Sequence, residues 1–385
     1  MKRFIAIIFF ALFATVTLQA QIVADSAVSS GAVSKSKKKS IVTTTLRDGS
    51  VYIGEVKRKR PHGTGRVIYA NGDKYNGSFV NGLRSGAGVY EYKNGDRYEG
   101  DYKEGRKHGV GVYEYADGRK YDGNWADDQM QGYGRMDYSN GDYYVGAWLV
   151  GKRTGSGTYI YATNASYTGE WKDGRYDGIG TYIWPDNSKY IGQWKGGRRS
   201  GKGVFISPAG DKYDGSWAYN QCDGKGRYIY PDGAVYVGEF KNGLWHGAGK
   251  YIAADSTIYE GGFKEGRRNG TGVLSFPNGD VYSGEWKNDE RSGNGVYTWA
   301  NGDVYEGSWE DDAMNGAGVL RLNDGRKYTG GFLEGLEHGT GVAVDVDGLR
   351  YEGVFLEGQR NGKFIVKDAD GNVLRECVYS LGIID

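Results

Sequence analysis

Stepping through the chain in strides of 23 residues from Tyr52 lands on tyrosine fourteen times, the last at Tyr351, with no insertion or deletion. A period held in phase this long decides the architecture before any local reading, because each unit is one supersecondary element that buries its apolar face against its neighbours. Count the repeat tyrosine as position 0. Position 2 is glycine in all fourteen units (Gly54 to Gly353), and so is position 11 (Gly63 to Gly362). Position 13 is glycine in thirteen units and Phe364 in the last. Position 4 is aromatic in every unit but the first, where Val56 stands, and seven times it is tryptophan: Trp125, Trp148, Trp171, Trp194, Trp217, Trp286 and Trp309.

Positions 0, 2 and 4 alternate at a period of two, which puts Tyr, Gly and Trp on one face of a strand. Positions 13, 15 and 17 repeat that face, as in Gly111, Tyr113 and Tyr115. Asn-Gly or Asp-Gly pairs such as Asn71-Gly72 and Asp117-Gly118 precede most repeat tyrosines and predict tight hairpin turns. Each unit is therefore read as a β-hairpin. The fold expected is all-β: an elongated, gently twisted, single-layer antiparallel solenoid of about 28 strands, of order 130 Å long at about 4.8 Å per strand. A one-layer sheet has no second layer to cover its rings. The glycines are expected to leave gaps where Tyr and Trp lie flat on the backbone.

These positions closely resemble the MORN repeat, whose unit reads roughly Y-x-G-x-W-x-x-G-x-x-x-G-x-G-x-x-x-x-x-x-G, from about Val51 to Gly371. The resemblance implies tandem hairpins in a long curved sheet that serves as a binding or scaffolding module, sometimes at membranes. Some MORN chains carry an added catalytic domain; within these 385 residues the repeats leave no room for one.

The opening residues, MKRFIAIIFFALFATVTLQAQ, pair Lys2 and Arg3 with an apolar run from Phe4 to Leu18 and the small residue Ala20. This predicts a signal peptide over 1–20 and export to the periplasm, the outer surface or the medium. A small, polar segment with the run KSKKKS predicts a basic linker over 21–44. The solenoid is expected over 45–371, and a C-terminal cap over 372–385, where Val373, Leu374, Val378 and Leu381 replace the glycine pattern. The 49 basic residues less the two of the leader leave 47 against 48 acidic ones, which argues against bulk nucleic-acid binding.

Catalytic and metal chemistry finds little footing. The four histidines, His62, His108, His246 and His338, all occupy position 10, each in a different unit and too far from the next to share a metal. Cys222 and Cys377 are almost seven units apart, too distant for a disulfide. The nearest phosphate-loop match, GAWLVGKR (Gly146–Arg153), ends in Arg153 where Ser or Thr is required. No catalytic, cofactor or metal site is predicted. Two candidate surfaces remain. One is the row of cations at positions 8 and 9, read as a long-loop edge and densest at Lys152, Arg153, Arg175, Arg198 and Arg199, which suits anionic phospholipid. The other is the aromatic ladder Trp125, Trp148, Trp171, Trp194 and Trp217, which suits a glycan or holds the sheet together. The function expected is a non-enzymatic scaffold of the cell envelope with a protein partner; anionic lipid and glycan are the alternatives.

Overall fold

A computed structural model describes residues 40–384. The leader and nearly all of the linker lie outside the described residues. The first strand, β1 (Ile41–Thr45), already falls inside the last residues assigned to that linker. From there one antiparallel sheet runs to β31 (Ile383–Ile384), 31 strands in chain order. Each strand pairs with its neighbours in sequence, as β1 does with β2 (Val51–Lys57), β2 with β3 (Arg60–Ile68) and β3 with β4 (Lys74–Val80). The first and last strands do not meet, so the sheet is open. Each repeat is one hairpin, as its periodicity predicts.

The turns differ from the sequence reading. The Asn-Gly turns are three-residue connections in which Gly72 N–H donates to Tyr69 O at 2.9 Å and Gly72 takes φ +97°. The two-residue turns lie on the opposite edge, at positions 6 and 7. There both residues adopt positive φ, as Arg58 (51°) and Lys59 (62°) do, or Asp127 (47°) and Asp128 (68°). That matches the right-handed twist of the flanking strands. The returning strand therefore starts at position 8, five residues earlier than its alternation suggests.

A bulge conceals that early start. Gly100 pairs with Gly111 and Tyr102 with Lys107, so one residue on the first strand faces three on the second. Gly109, at position 11, sits in the middle with φ +65°, and all fourteen position-11 glycines are left-handed. The bulge frees the carbonyl of position 3, which accepts the repeat tyrosine's hydroxyl: Tyr98 to Asp101 O at 3.0 Å, Tyr121 to Asn124 O at 3.0 Å. The amide of position 12 is met by the position-3 side chain, as Ile179 N–H is by Glu170 Oε1 at 3.1 Å.

The core is the single aromatic face. Tyr52, Tyr75, Tyr98 and Tyr121 are wholly buried. Each lies over the two facing glycines of its own hairpin; a Cβ on Gly169 would come within 2.7 Å of Tyr167 Oη and 2.6 Å of Ile179 O. The position-4 ring stands edge-on between two such tyrosines: Trp125 meets Tyr121 at 5.1 Å and 90°, and Tyr98 of the preceding unit at 5.4 Å and 84°. Trp125 Nε1 also donates to Gly111 O of that unit at 2.9 Å. At the C-terminal end Val373, Leu374, Val378 and Leu381 are exposed, and the face is closed by other residues. Phe364, fully buried, occupies the space over Gly353 and packs on Phe355 and Tyr379.

Two outcomes follow for stability. Gly169→Val should lower the urea midpoint by the equivalent of about 2 kcal/mol or more, through overpacking. Gly174→Asn should stay within about 1 kcal/mol, because Gly174 (φ +80°) faces open space and asparagine tolerates that backbone region. Alkali gives a second check. Burial pushes the phenols of Tyr75, Tyr190, Tyr259, Tyr282, Tyr305 and Tyr328 up to about 12. The fold favours their neutral form, so this contribution is complete below the ordinary value of about 10 and is lost as pH rises from there toward 12. The thermal midpoint should fall across that window, with tyrosinate absorbance appearing together with unfolding.

Candidate functional site

Positions 8 and 9 are the first two residues of the returning strand, so they point to opposite faces. This divides the predicted cationic edge. Lys152, Arg175 and Arg198 are exposed. Lys152 Nζ lies 3.8 Å from Asp173 Oδ1, and the Arg198 guanidinium lies 5.8 Å from the ring of Tyr219. Arg153 and Arg199 sit instead on the aromatic face. Arg153 is 4.5 Å above Trp171 and donates to Gly174 O at 2.9 Å; Arg199 is 4.4 Å above Trp217 and donates to Asn220 O at 2.8 Å. Burial lowers the pKa of the Arg199 guanidinium. These two are half-buried clasps between adjacent hairpins, not an exposed loop.

The clasp follows a rule written in the sequence. Position-9 cations face an indole or phenol at position 4 of the next unit: Arg84 on Tyr102, Lys107 on Trp125, Arg153 on Trp171, Arg199 on Trp217, Arg268 on Trp286 and Arg291 on Trp309. The five position-4 phenylalanines (Phe79, Phe240, Phe263, Phe332, Phe355) follow units whose position 9 is Pro61, Cys222, Trp245, Met314 or Glu337. The indole attracts a cation more strongly than the phenyl ring does. Reading positions 4 and 9 together across the unit boundary would have revealed this pairing.

The five tryptophans of the predicted ladder are buried to within 4–7 % exposure. They stand edge-on between tyrosines, so a sugar would find no open indole face, and the sheet-packing reading accounts for them. Cys222 lies in a strand opposite Trp217, where burial pushes its thiol up to about 11, away from thiolate chemistry. Among the described residues no three His, Cys, Asp or Glu side chains group as a metal site.

A family model for the MORN repeat matches fourteen times, from residues 52–74 to 351–363, in register with these hairpins. The chain belongs to the MORN repeat family. MORN repeats are generally non-catalytic. No curated protein gives a significant match. Among solved structures the MORN sheet is similar to the TCP domain of SAS-4 (dCPAP) from Drosophila melanogaster, in complex with a proline-rich motif of Ana2 (dSTIL). That match has 16 % identity over 40 % of this chain and 83 % of that one, at a TM-score of 0.27. The TCP10 domain of Danio rerio CPAP, in complex with a peptide of STIL, has 13 % identity over 76 % and 98 %, at a TM-score of 0.19. Virginiamycin B lyase from Staphylococcus aureus has 14 % identity over 73 % and 90 %, at a TM-score of 0.13.

The clasp makes a contrast between neighbours. Arg199→Ala should lower the urea midpoint by about 1–2 kcal/mol, from a lost cation–π contact and hydrogen bond. Arg198→Ala, one residue away on the other face, should change it by less than about 0.5 kcal/mol.

Proposed function

We propose that this MORN sheet is a non-enzymatic scaffold, exported to the cell envelope, that binds a protein partner across the face opposite its rings. The observation that carries this reading is a change of chemistry along that outer face. In the units near the N-terminus it is laced with ion pairs, such as Arg97–Glu99 at 2.5 Å, Lys120–Glu114 at 3.1 Å and Arg135–Asp137 at 2.6 Å. Toward the C-terminus the pairs return, with Lys250–Glu260 at 3.0 Å and Lys367–Glu352 at 2.6 Å. Between them the cross-strand pairs include Tyr143 with Ile160, Thr168 with Thr181, Ser166 with Ile183 and Ile191 with Val204, and charge re-enters at Lys189, Lys212 and the facing Asp214 and Arg227. Ile179 is 61 % exposed and Ile191 42 %. A β-branched area with few charges, rimmed by ion pairs, has the anatomy of a protein interface. The export half of the proposal rests on the leader read at residues 1–20.

A second reading is peripheral contact with anionic membrane. Leu149 and Val150 are exposed at the two-residue turn beside Lys152, and Lys172, Arg175, Lys195 and Arg198 follow along the same edge. Apolar tips among cations suit a lipid surface.

One set of variants separates the two. Ile183→Lys with Ile191→Lys should leave the melting temperature unchanged and cut recovery of the partner from native envelope, quantified by mass spectrometry, at least tenfold. Lys152→Ser, Arg175→Ser and Arg198→Ser together should leave that recovery intact. If the lysine variant recovers the same proteins in the same amounts, the outer-face reading fails. Sedimentation of the wild type with phosphatidylglycerol vesicles at low salt, lost in the triple serine variant, would favour the membrane.

A further inference from the structure

Unit thirteen breaks the ring face at three positions together. Position 9 is Glu337, the one acid found there in fourteen units; position 15 is Ala343, the smallest residue at that position; position 17 is Asp345, where most units carry an aromatic ring. The rings that fill the face elsewhere are missing, and a cavity of about 230 Å³ opens. Its apolar walls include Leu320, Leu322, Tyr328 and Phe355, and Glu337 lines it as well.

The charges around it are unevenly committed. Arg360 lies 3.7 Å above Tyr351 and donates to Tyr379 Oη at 3.2 Å. Arg326 is held by Asp324 at 2.8 Å. Lys327 alternates with the buried Tyr328 and so belongs to the outer face. Asp345 accepts from Leu349 N–H at 2.8 Å and from the Tyr351 hydroxyl at 3.2 Å. Of the two acids at the cavity, Glu337, half-buried, has neither a side-chain hydrogen bond nor an ion pair among the described residues. Burial raises its pKa, with Arg360 and Arg326 opposing the shift. In six other units this position supplies a cation to the ring of the following unit. Here it supplies an anion beside Phe355, with room where a stem and head group would lie.

We propose that this cavity binds an organic cation on an apolar stem, an ammonium or guanidinium that takes the place of the missing clasp. The stem fills the space beside Ala343 between Leu320 and Phe355, and the head group pairs with Glu337. The same chemistry arrives on a free alkylamine or on a basic side chain of a partner protein.

Methyl NMR of Leu320 and Leu322 in the full chain tests this with n-butylammonium, N-acetyl-lysine methylamide, butanol and butyrate as probes. Both cations should give saturable shifts, and butanol and butyrate none. Glu337→Gln should weaken cation binding at least tenfold, and Ala343→Tyr, which restores a ring used in other units, should abolish it. Glu334→Gln, at an exposed turn, should leave it unchanged. Tighter binding of the lysine derivative assigns the site to a partner protein; tighter binding of butylammonium assigns it to a free amine. No saturable shift with either cation, equal binding of butanol, or full binding by a folded Glu337→Gln variant would overturn the proposal. The Ile183→Lys, Ile191→Lys variant should bind the probes normally, so this site and the outer-face interface stand or fall separately.

Discussion

A phenol ring lying flat on two glycines is the contact from which the rest of this molecule is built. Tyr167 can occupy its place only because Gly169 and Gly180 face each other beneath it with no side chain between. That low seat brings the ring edges within reach of Trp171 and Trp194 on either side, each within about 2° of perpendicular. It also aims the hydroxyl at the carbonyl that the bulge has released, Glu170 O at 2.8 Å. Phenylalanine would fill the seat but leave that carbonyl without its donor. One interaction thus accounts for the residue types at positions 0, 2, 4 and 13, and for how a one-layer sheet keeps a dry core.

How much of this was legible in the sequence depends on whether alternation survives. At Tyr121, Gly123 and Trp125 it does, and strand, face and ring packing follow from it. At Gly109 it fails, because a left-handed residue inside a strand shifts the register of what precedes it. Arg106 and Lys107 then look like loop neighbours when they lie on opposite faces of a strand. The same shift made Arg198 and Arg199 read as equivalent exposed cations. Asn71-Gly72 showed a turn but not its length, since Asn-Gly can fill a two-residue turn or end a three-residue one with its glycine left-handed. The cation–indole pairing was present in the sequence but crosses a unit boundary, where reading one repeat at a time does not look. The Glu337 cavity depends on residues missing from their usual places, and its volume needed coordinates.

The two faces divide the labour of the sheet. The ring face is occupied with cohesion: phenols, edge-on indoles and clasping cations fill most of it, and the openings they leave include those beside Ala343 and beside Leu274. Apart from the position-3 side chains that meet the bulge amides, the outer face is less committed to cohesion, and its side chains vary between charged ladders and β-branched patches. Phe364 shows how the cohesive face ends. By taking the seat over Gly353 it frees Tyr351 to turn toward Asp345, and it presents its edge to Tyr379.

Every clasp, ring contact and Trp-to-carbonyl hydrogen bond joins a hairpin only to the one beside it, and the spacing of these contacts is uniform. Whole hairpins are therefore interchangeable as blocks of inheritance. Excising 23 consecutive residues would bring the same glycine seats and ring edges face to face and shorten the ribbon by one step. Losing a single residue would misalign that hairpin's seat with its ring, damage that no neighbour can absorb. A lineage carrying such a chain can change its reach by unequal crossover without passing through an unfolded ancestor.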